Sequence, residues 1–271
     1  MKYYEPEHIK GYKRAKAEGK TAWNELHGME GFDNFSSRTF LEAVLPQLRF
    51  DSEHPSVLDY GCGTGPDACF LAERGFRVDA IDLVPAAIDM ARQIAAERGL
   101  DINFQVQDVC ELPPDGKQYD MVVDSFCLQC LVFDDERQRV FSAVRGRLKP
   151  RGYYLISTAL MDEEHEAFIR RDEPLTDPAT GMVYHRYYSE EIIDLDSGAV
   201  YLLAVYVSSD ASPDEFPRMI QIDGQWYLPH RRHLRPDALV AELERAGFSV
   251  IHRFPDHPGS LACAPLPQKG C

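Results

Sequence analysis

No stretch of this chain approaches the roughly 20 consecutive apolar residues that a membrane span requires, so no membrane partner is expected. Basic residues are scarce: 29 Lys and Arg stand against 44 Asp and Glu, a formal net charge of −15. That balance argues against nucleic acid as a partner, because phosphate contacts need clustered Lys and Arg. The seven cysteines are an odd number, scattered over 271 residues. This fits reduced thiols better than a disulfide framework. The opening residues, Met-Lys-Tyr-Tyr-Glu-Pro-Glu-His, lack the apolar core of a signal peptide. A cytoplasmic protein is therefore expected, and its oligomeric state is not legible. Hydrophobic residues make up 44% of the chain, enough for a sizeable core. The length predicts one large domain, or one domain carrying an insertion.

The first 30 residues are polar and helix-prone, with Pro6 suited to a first turn and Gly19 to a stop. Ser36 or Ser37 is expected to cap a helix bearing Phe40, Leu41, Val44 and Leu48. From about residue 55, short apolar runs alternate with amphipathic segments. Strands are predicted at Ser56–Tyr60, Arg77–Asp82, Ile102–Gln107, Asp120–Ser125 and Tyr153–Thr158. Helices are predicted at Pro66–Arg74, Pro85–Glu97, a segment capped by Asp134 or Asp135, and Pro236–Ala246. Such alternation implies an α/β fold with a doubly wound, Rossmann-like sheet. Between residues 160 and 234 the rhythm breaks into strand-like runs without helices. Asp223-Gly224 is there a strong hairpin signal, and the segment reads as an antiparallel β insertion after strand five. Ser249–Phe254 is a further strand, and Leu261–Ala264 is expected at the sheet edge.

The most informative segment is Ser56-Val-Leu-Asp-Tyr-Gly61-Cys62-Gly63-Thr-Gly65-Pro66. A buried strand runs into three glycines at alternate positions and then a helix. Gly61 permits the sharp turn, Gly63 lets a ligand approach the backbone, and Gly65 lets helix pack on strand. A dinucleotide fingerprint would place its third glycine at position 66, which is Pro66, so a nicotinamide oxidoreductase is disfavoured. Two acids fall where an adenosine needs them. Asp82 ends the second strand, 21 residues after Gly61, placed to accept from ribose hydroxyls. Asp108 ends the third, placed to accept from an adenine amino group while the Val109 amide meets the ring. Asp59 tops the first strand, close enough to address an ammonium. Each acid alone reads equally as a solvated strand end; the three beside one glycine loop favour a site.

Val57 to Gly65, Ala80-Ile-Asp82-Leu83, Gln107-Asp108-Val109 and Tyr119-Asp-Met-Val-Val-Asp124 resemble the successive motifs of class I S-adenosylmethionine-dependent methyltransferases. Leu243-Glu-Arg-Ala-Gly-Phe248 is similar to the family's late helix before its sixth strand. The resemblance implies a seven-stranded methyltransferase sheet with one antiparallel strand, and S-adenosyl-L-methionine as cofactor. It also implies that Asp59 to Gly65 (Gly61, Cys62 and Gly63 included) hold the methionine portion. Asp82 with Leu83 would hold the ribose and Asp108 with Val109 the adenine; Asp124 counts with the cofactor residues. Residues 36–159 and 235–271 would form the cofactor-binding domain. Residues 1–35 would be a helical arm, and residues 160–234 would sit where small-molecule members carry a substrate lid.

Strand four ends in Asp124-Ser125-Phe126-Cys127 rather than the Asn/Asp-Pro-Pro-Tyr/Phe of enzymes acting on nucleobases or glutamine. A small-molecule acceptor is therefore favoured. Cys127-x-x-Cys130 and His230-x-x-His233 suggest zinc or a soft metalloid. The apolar run around Cys127 favours small buried hydrophobes, and no metal is expected. Trp226-Tyr-Leu-Pro-His230-Arg231-Arg-His233 and His185-Arg-Tyr187-Tyr are the basic concentrations of an acidic chain. Guanidiniums beside aromatic rings suit a carboxylate or phosphate on a small body. His185, Tyr187, His230, Arg231 and, from the arm, Trp23 are thus the candidate substrate residues. His230 and Tyr187 are the candidates for catalysis. A regulatory protein that binds the cofactor without turnover, and a thiol or metalloid methyltransferase using Cys127 and Cys130, remain alternatives.

Overall fold

The computed structural model describes residues 2–161, 174–176, 183–187, 191–193, 199–204, 218, 220–222, 225–257 and 259–267. Strand β1 (Ser56–Tyr60) is buried at all five positions, as expected of a strand covered on both faces. Its alternate residues enter two different cores. Leu58 and Tyr60 pack with Val140, Phe141 and Leu243 on one face. Val57 packs with Phe40, Leu41 and Ile88 on the other.

β1 is the centre of a seven-stranded sheet. On one side lie β2 (Arg77–Asp82) and then β3 (Ile102–Val106); on the other lie β4 (Tyr119–Ser125) and β5 (Leu148–Ser157), all parallel. The sheet is completed beyond β5 by β13 (Ser260–Pro265) and then β12 (Phe248–Arg253). β13 runs antiparallel to both neighbours. The segment expected at the edge is therefore internal. Leu261, Ala262 and Cys263 are buried on both faces, whereas β12 keeps exposed positions and forms the edge.

Helices α1 (Glu5–Ala17), α2 (Arg38–Val44), α3 (Pro66–Ala72), α4 (Pro85–Glu97), α5 (Asp134–Arg147) and α6 (Pro236–Arg245) complete the frame. α3, α4 and α6 open on a proline, whose missing N–H costs nothing in a first turn. Two expected caps are not made. Ser37 occupies the cap position of α2, but its hydroxyl donates instead to Asp67, and Phe133 stands where Asp134 or Asp135 was expected before α5.

The described residues of 160–234 form two antiparallel sheets. β7 (Val183–Tyr187) lies between β6 (Pro174–Thr176) and β8 (Glu191–Ile193). β11 (Gln225–Leu234) lies between β10 (Ile220–Ile222) and β9 (Ala199–Ala204). Ile222 pairs with Gln225, the pairing expected across a two-residue turn; Asp223 and Gly224 themselves lie outside the described residues. The Met161 amide donates to the Leu234 carbonyl at 3.0 Å, so both ends of the insertion leave the sheet together.

Candidate cofactor and substrate site

The glycine loop after β1 needs left-handed backbone, with φ of +65° at Gly61, +56° at Gly63 and +83° at Gly65. A Cβ at Gly61 would stand 2.5 Å from Cys127 Sγ, and one at Gly63 would stand 2.4 Å from the Tyr12 hydroxyl oxygen. At Gly65 it would press on the Phe104 ring at 3.0 Å, so that glycine serves packing against β3.

Above this loop, at the carboxyl ends of the parallel strands, lies a cavity of about 500 Å³. That is the place and size expected of a ligand site in an open α/β sheet. Gly61, Cys62, Gly63, Asp82 and Leu83 line it, and Asp108 and Val109 continue its wall. Trp23 and Arg231 face it from the arm and the insertion. Asp59, Gly65 and Asp124 are not on its wall. The side chains of His185, Tyr187 and His230 lie outside the described residues.

The acids occupy distinct settings. Asp82 is 7% exposed and accepts from the Gly63 amide at 2.9 Å and the Val84 amide at 2.8 Å. Burial raises its pKa against the pull of those amides. Asp108 accepts from the Cys110 amide at 2.9 Å and from the Tyr4 hydroxyl at 2.8 Å. Asp59 is fully buried under the loop, and neither of its oxygens has a hydrogen-bond partner. Burial, then Asp67, Asp124 and Asp82 nearby, hold its pKa well above the ordinary carboxylate range. Asp124 is turned inward, accepting from the Tyr60 hydroxyl at 2.5 Å and the Cys127 amide at 2.8 Å. It fixes the turn after β4 rather than reaching the cavity. In that turn Phe126 takes φ +63°, an unusual conformation for a bulky residue, and it lines the cavity.

Sequence reasoning looked to the arm for aromatic rings such as Trp23 and missed its polar groups, Glu7 and His8. Tyr4, Glu7, His8 and Tyr12 all line the cavity. Their three- and four-residue spacing, which puts them on one helix face, was the available signal. The Arg231 guanidinium meets Glu7 in two bonds of 2.9 and 3.0 Å, so this candidate anion binder carries a carboxylate partner from the arm. His8 Nδ1 donates to the Tyr4 carbonyl at 2.6 Å, and its Nε2 lies 3.7 Å from Cys130 Sγ. Thr64 also lines the cavity, and its buried hydroxyl has no hydrogen-bond partner. Cys62, Cys127 and Cys130 share the same wall. Among the described residues, no group of three or more His, Cys, Asp or Glu is disposed to hold a metal ion.

The methyltransferase-domain family matches residues 57–152. Over 118 residues the chain is 36% identical to a ubiquinone biosynthesis O-methyltransferase of Rickettsia conorii, covering 44% of this chain and 39% of that protein. The chain thus spans less than half the length of the curated relative it matches. The structure is similar to 1,6-didemethyltoxoflavin-N1-methyltransferase of Burkholderia thailandensis, solved with 1,6-didemethyltoxoflavin and S-adenosylhomocysteine bound. The TM-score there is 0.53 at 18% identity, covering 96% of this chain and 87% of that one. It is also similar to an S-adenosylmethionine-dependent methyltransferase of Clostridium acetobutylicum. That likeness has a TM-score of 0.57 at 15% identity, over 90% of this chain and 96% of the other. Residues 57–152 thus match a methyltransferase domain, and the sheet that holds them shares the fold of these methyltransferase structures.

Proposed function

We propose that the protein transfers a methyl group from S-adenosyl-L-methionine to a hydroxyl of a small, planar, anionic molecule. The observation that carries the reading is the convergence of the glycine loop, Asp82 and Asp108 on one cavity at the carboxyl edge of the sheet. The residues present fit the cofactor. Thr64 offers a buried hydroxyl in need of a partner, and Asp67 and Asp82 in the cavity wall suit a ligand with ammonium and sulfonium charges. Asp82 would accept from the ribose hydroxyls, Asp108 from the adenine amino group, and the Gly61–Gly63 backbone would meet the methionine portion. The cofactor supplies a methyl group on a sulfonium, already activated, so the protein's task is placement and exclusion of water.

The hydroxyl acceptor rests on the O-methyltransferase relative, and the planar body on the rings of Tyr12, Trp23, Phe35 and Phe126 in the cavity wall. The anionic group rests on Arg231, whose guanidinium is held by Glu7 and would exchange that carboxylate for the substrate's. In this reading 3,4-dihydroxybenzoate is methylated with release of S-adenosylhomocysteine, at least tenfold better in kcat/KM than its neutral methyl ester. Arg231→Ala erases that preference, about 1.4 kcal/mol. Equal rates for acid and ester would remove the anionic part, and no transfer to either would remove the acceptor class. A second reading follows from the three cavity thiols: a soft metalloid acceptor. Against it, burial raises the Cys62 and Cys127 thiols well above their ordinary range. Arsenite-dependent release of S-adenosylhomocysteine would decide in its favour.

A further inference from the structure

His8 lines the cavity with its two ring nitrogens in different settings, one against the backbone and one against a thiol. A carbonyl oxygen only accepts, so the 2.6 Å contact with Tyr4 fixes the proton on Nδ1. In the neutral ring Nε2 then carries the lone pair, and it faces Cys130 Sγ at 3.7 Å on the cavity wall. A thiol is a weak donor at that distance, and an acceptor hydroxyl is a stronger one. The ring is braced in place. Its centroid lies 5.2 Å from that of Trp23, which in turn packs against Tyr12 and His27. From α1, β2, β11 and the turn after β4, the charged and titratable groups acting on it are Glu7, Asp82, Arg231 and Cys130.

We propose that His8 is the catalytic base, taking the acceptor's hydroxyl proton on Nε2 as the methyl group moves. The inference rests on the methyl-transfer reading above and deepens it. In the step, the acceptor oxygen forms a bond to the methyl carbon while the bond from that carbon to the sulfonium sulfur breaks. The electron pair of the broken bond leaves sulfur as a neutral thioether, and the hydroxyl proton passes to Nε2. The imidazolium formed is then held by the Tyr4 carbonyl on one side and lies near the Glu7 and Asp82 carboxylates. Burial lowers this ring's hold on a proton, but Cys130 and Glu7 outweigh it against Arg231, and its pKa stands raised to about 9. The site therefore favours imidazolium when an anion faces Nε2, which is the state that proton transfer creates. The same value means that the base form grows as the pH rises toward 9.

The test uses the full-length protein, S-adenosyl-L-methionine and 3,4-dihydroxybenzoate. His8→Ala is expected to bind S-adenosylhomocysteine within threefold of the wild type. Its kcat for methyl transfer should fall at least a hundredfold, in the range that general-base removal produces. Free imidazole in the buffer should restore part of that loss, which it would not do if His8 only packed the arm. His8→Gln, which keeps much of the size without a base, should behave like His8→Ala. Wild-type transfer should also quicken between pH 7 and pH 9. Transfer by both variants within threefold of wild type, or a large loss that imidazole leaves unchanged, would overturn the role of His8 alone. A wild type that binds S-adenosylhomocysteine and methylates no hydroxyl would overturn the hydroxyl-acceptor reading, and this role with it.

Discussion

Gly63 is the residue on which the cofactor loop and the N-terminal arm meet. Its φ of +56° is strained for any side chain, and the Tyr12 hydroxyl stands 2.4 Å from where a Cβ would be. The phenol is the end of a rigid ring, so an added methyl has to move α1 or the loop. Gly63→Ala should therefore weaken S-adenosylhomocysteine binding at least tenfold, about 1.4 kcal/mol. The left-handed backbone adds a stability loss of about 1–2 kcal/mol, visible as a lower melting temperature. Calorimetry showing wild-type affinity in this variant would mean that the loop does not approach a ligand. The Gly61 position makes the same kind of demand through Cys127, whose side chain packs against it at the cavity wall.

The turn after β4 is held by a buried carboxylate, and its chemistry makes stability depend on pH. Burial pushes Asp124 and Asp67 each up to about 6 from an ordinary value of 3.8. Both groups thus bind protons more tightly in the folded than in the unfolded chain. Between pH 4 and pH 6 the folded state holds the extra proton, so their contribution to stability falls as the pH rises through that window. Asp79 and Asp120 have lowered values, so their contribution is lost only as the pH falls toward theirs, below the same window. Asp124→Asn should flatten the difference in unfolding free energy between pH 4.5 and pH 7 relative to the wild type. An unchanged profile in denaturant titrations would show that another group sets it.

At this level the sequence was most legible where burial alone decides. β1, β2 and α4 fall at the predicted residues because short, apolar-rich runs and an N-terminal proline leave little choice. The caps at Ser37 and Asp134 were not legible, because a side-chain oxygen can answer a tertiary partner instead of its own helix. The internal place of β13 was not legible either, since strand order is set by pairing across long separations. In the site, the loop and the strand-end acids were readable from spacing. The inward turn of Asp124 and the pairing of Arg231 with Glu7, 224 residues away, were not.

The whole molecule brings three distant stretches of chain onto one cavity. The sheet supplies the loop and strand ends, α1 and the residue before it supply Tyr4, Glu7, His8 and Tyr12, and β11 supplies Arg231. The arm is anchored beyond the cavity as well. The Tyr3 hydroxyl donates to Glu136 at 2.6 Å and accepts from the Val132 amide at 2.8 Å. Farther along, buried Arg137 grips Glu242 of α6 with bonds of 2.7 and 2.6 Å and donates to the Leu128 carbonyl at 2.7 Å. The turn that carries Phe126, Cys127 and Cys130 is thereby tied to both the arm and the last helix. Everything in this arrangement presupposes that the cavity receives S-adenosyl-L-methionine through Asp82. Titration calorimetry with S-adenosylhomocysteine on the wild type and on Asp82→Ala, with folding checked by melting, addresses this directly. The account predicts one equivalent bound by the wild type and an affinity lowered in the variant by about 1.5–3 kcal/mol, a lost charge-assisted pair. No heat of binding in the folded wild type, or equal affinities in the two proteins, would contradict it.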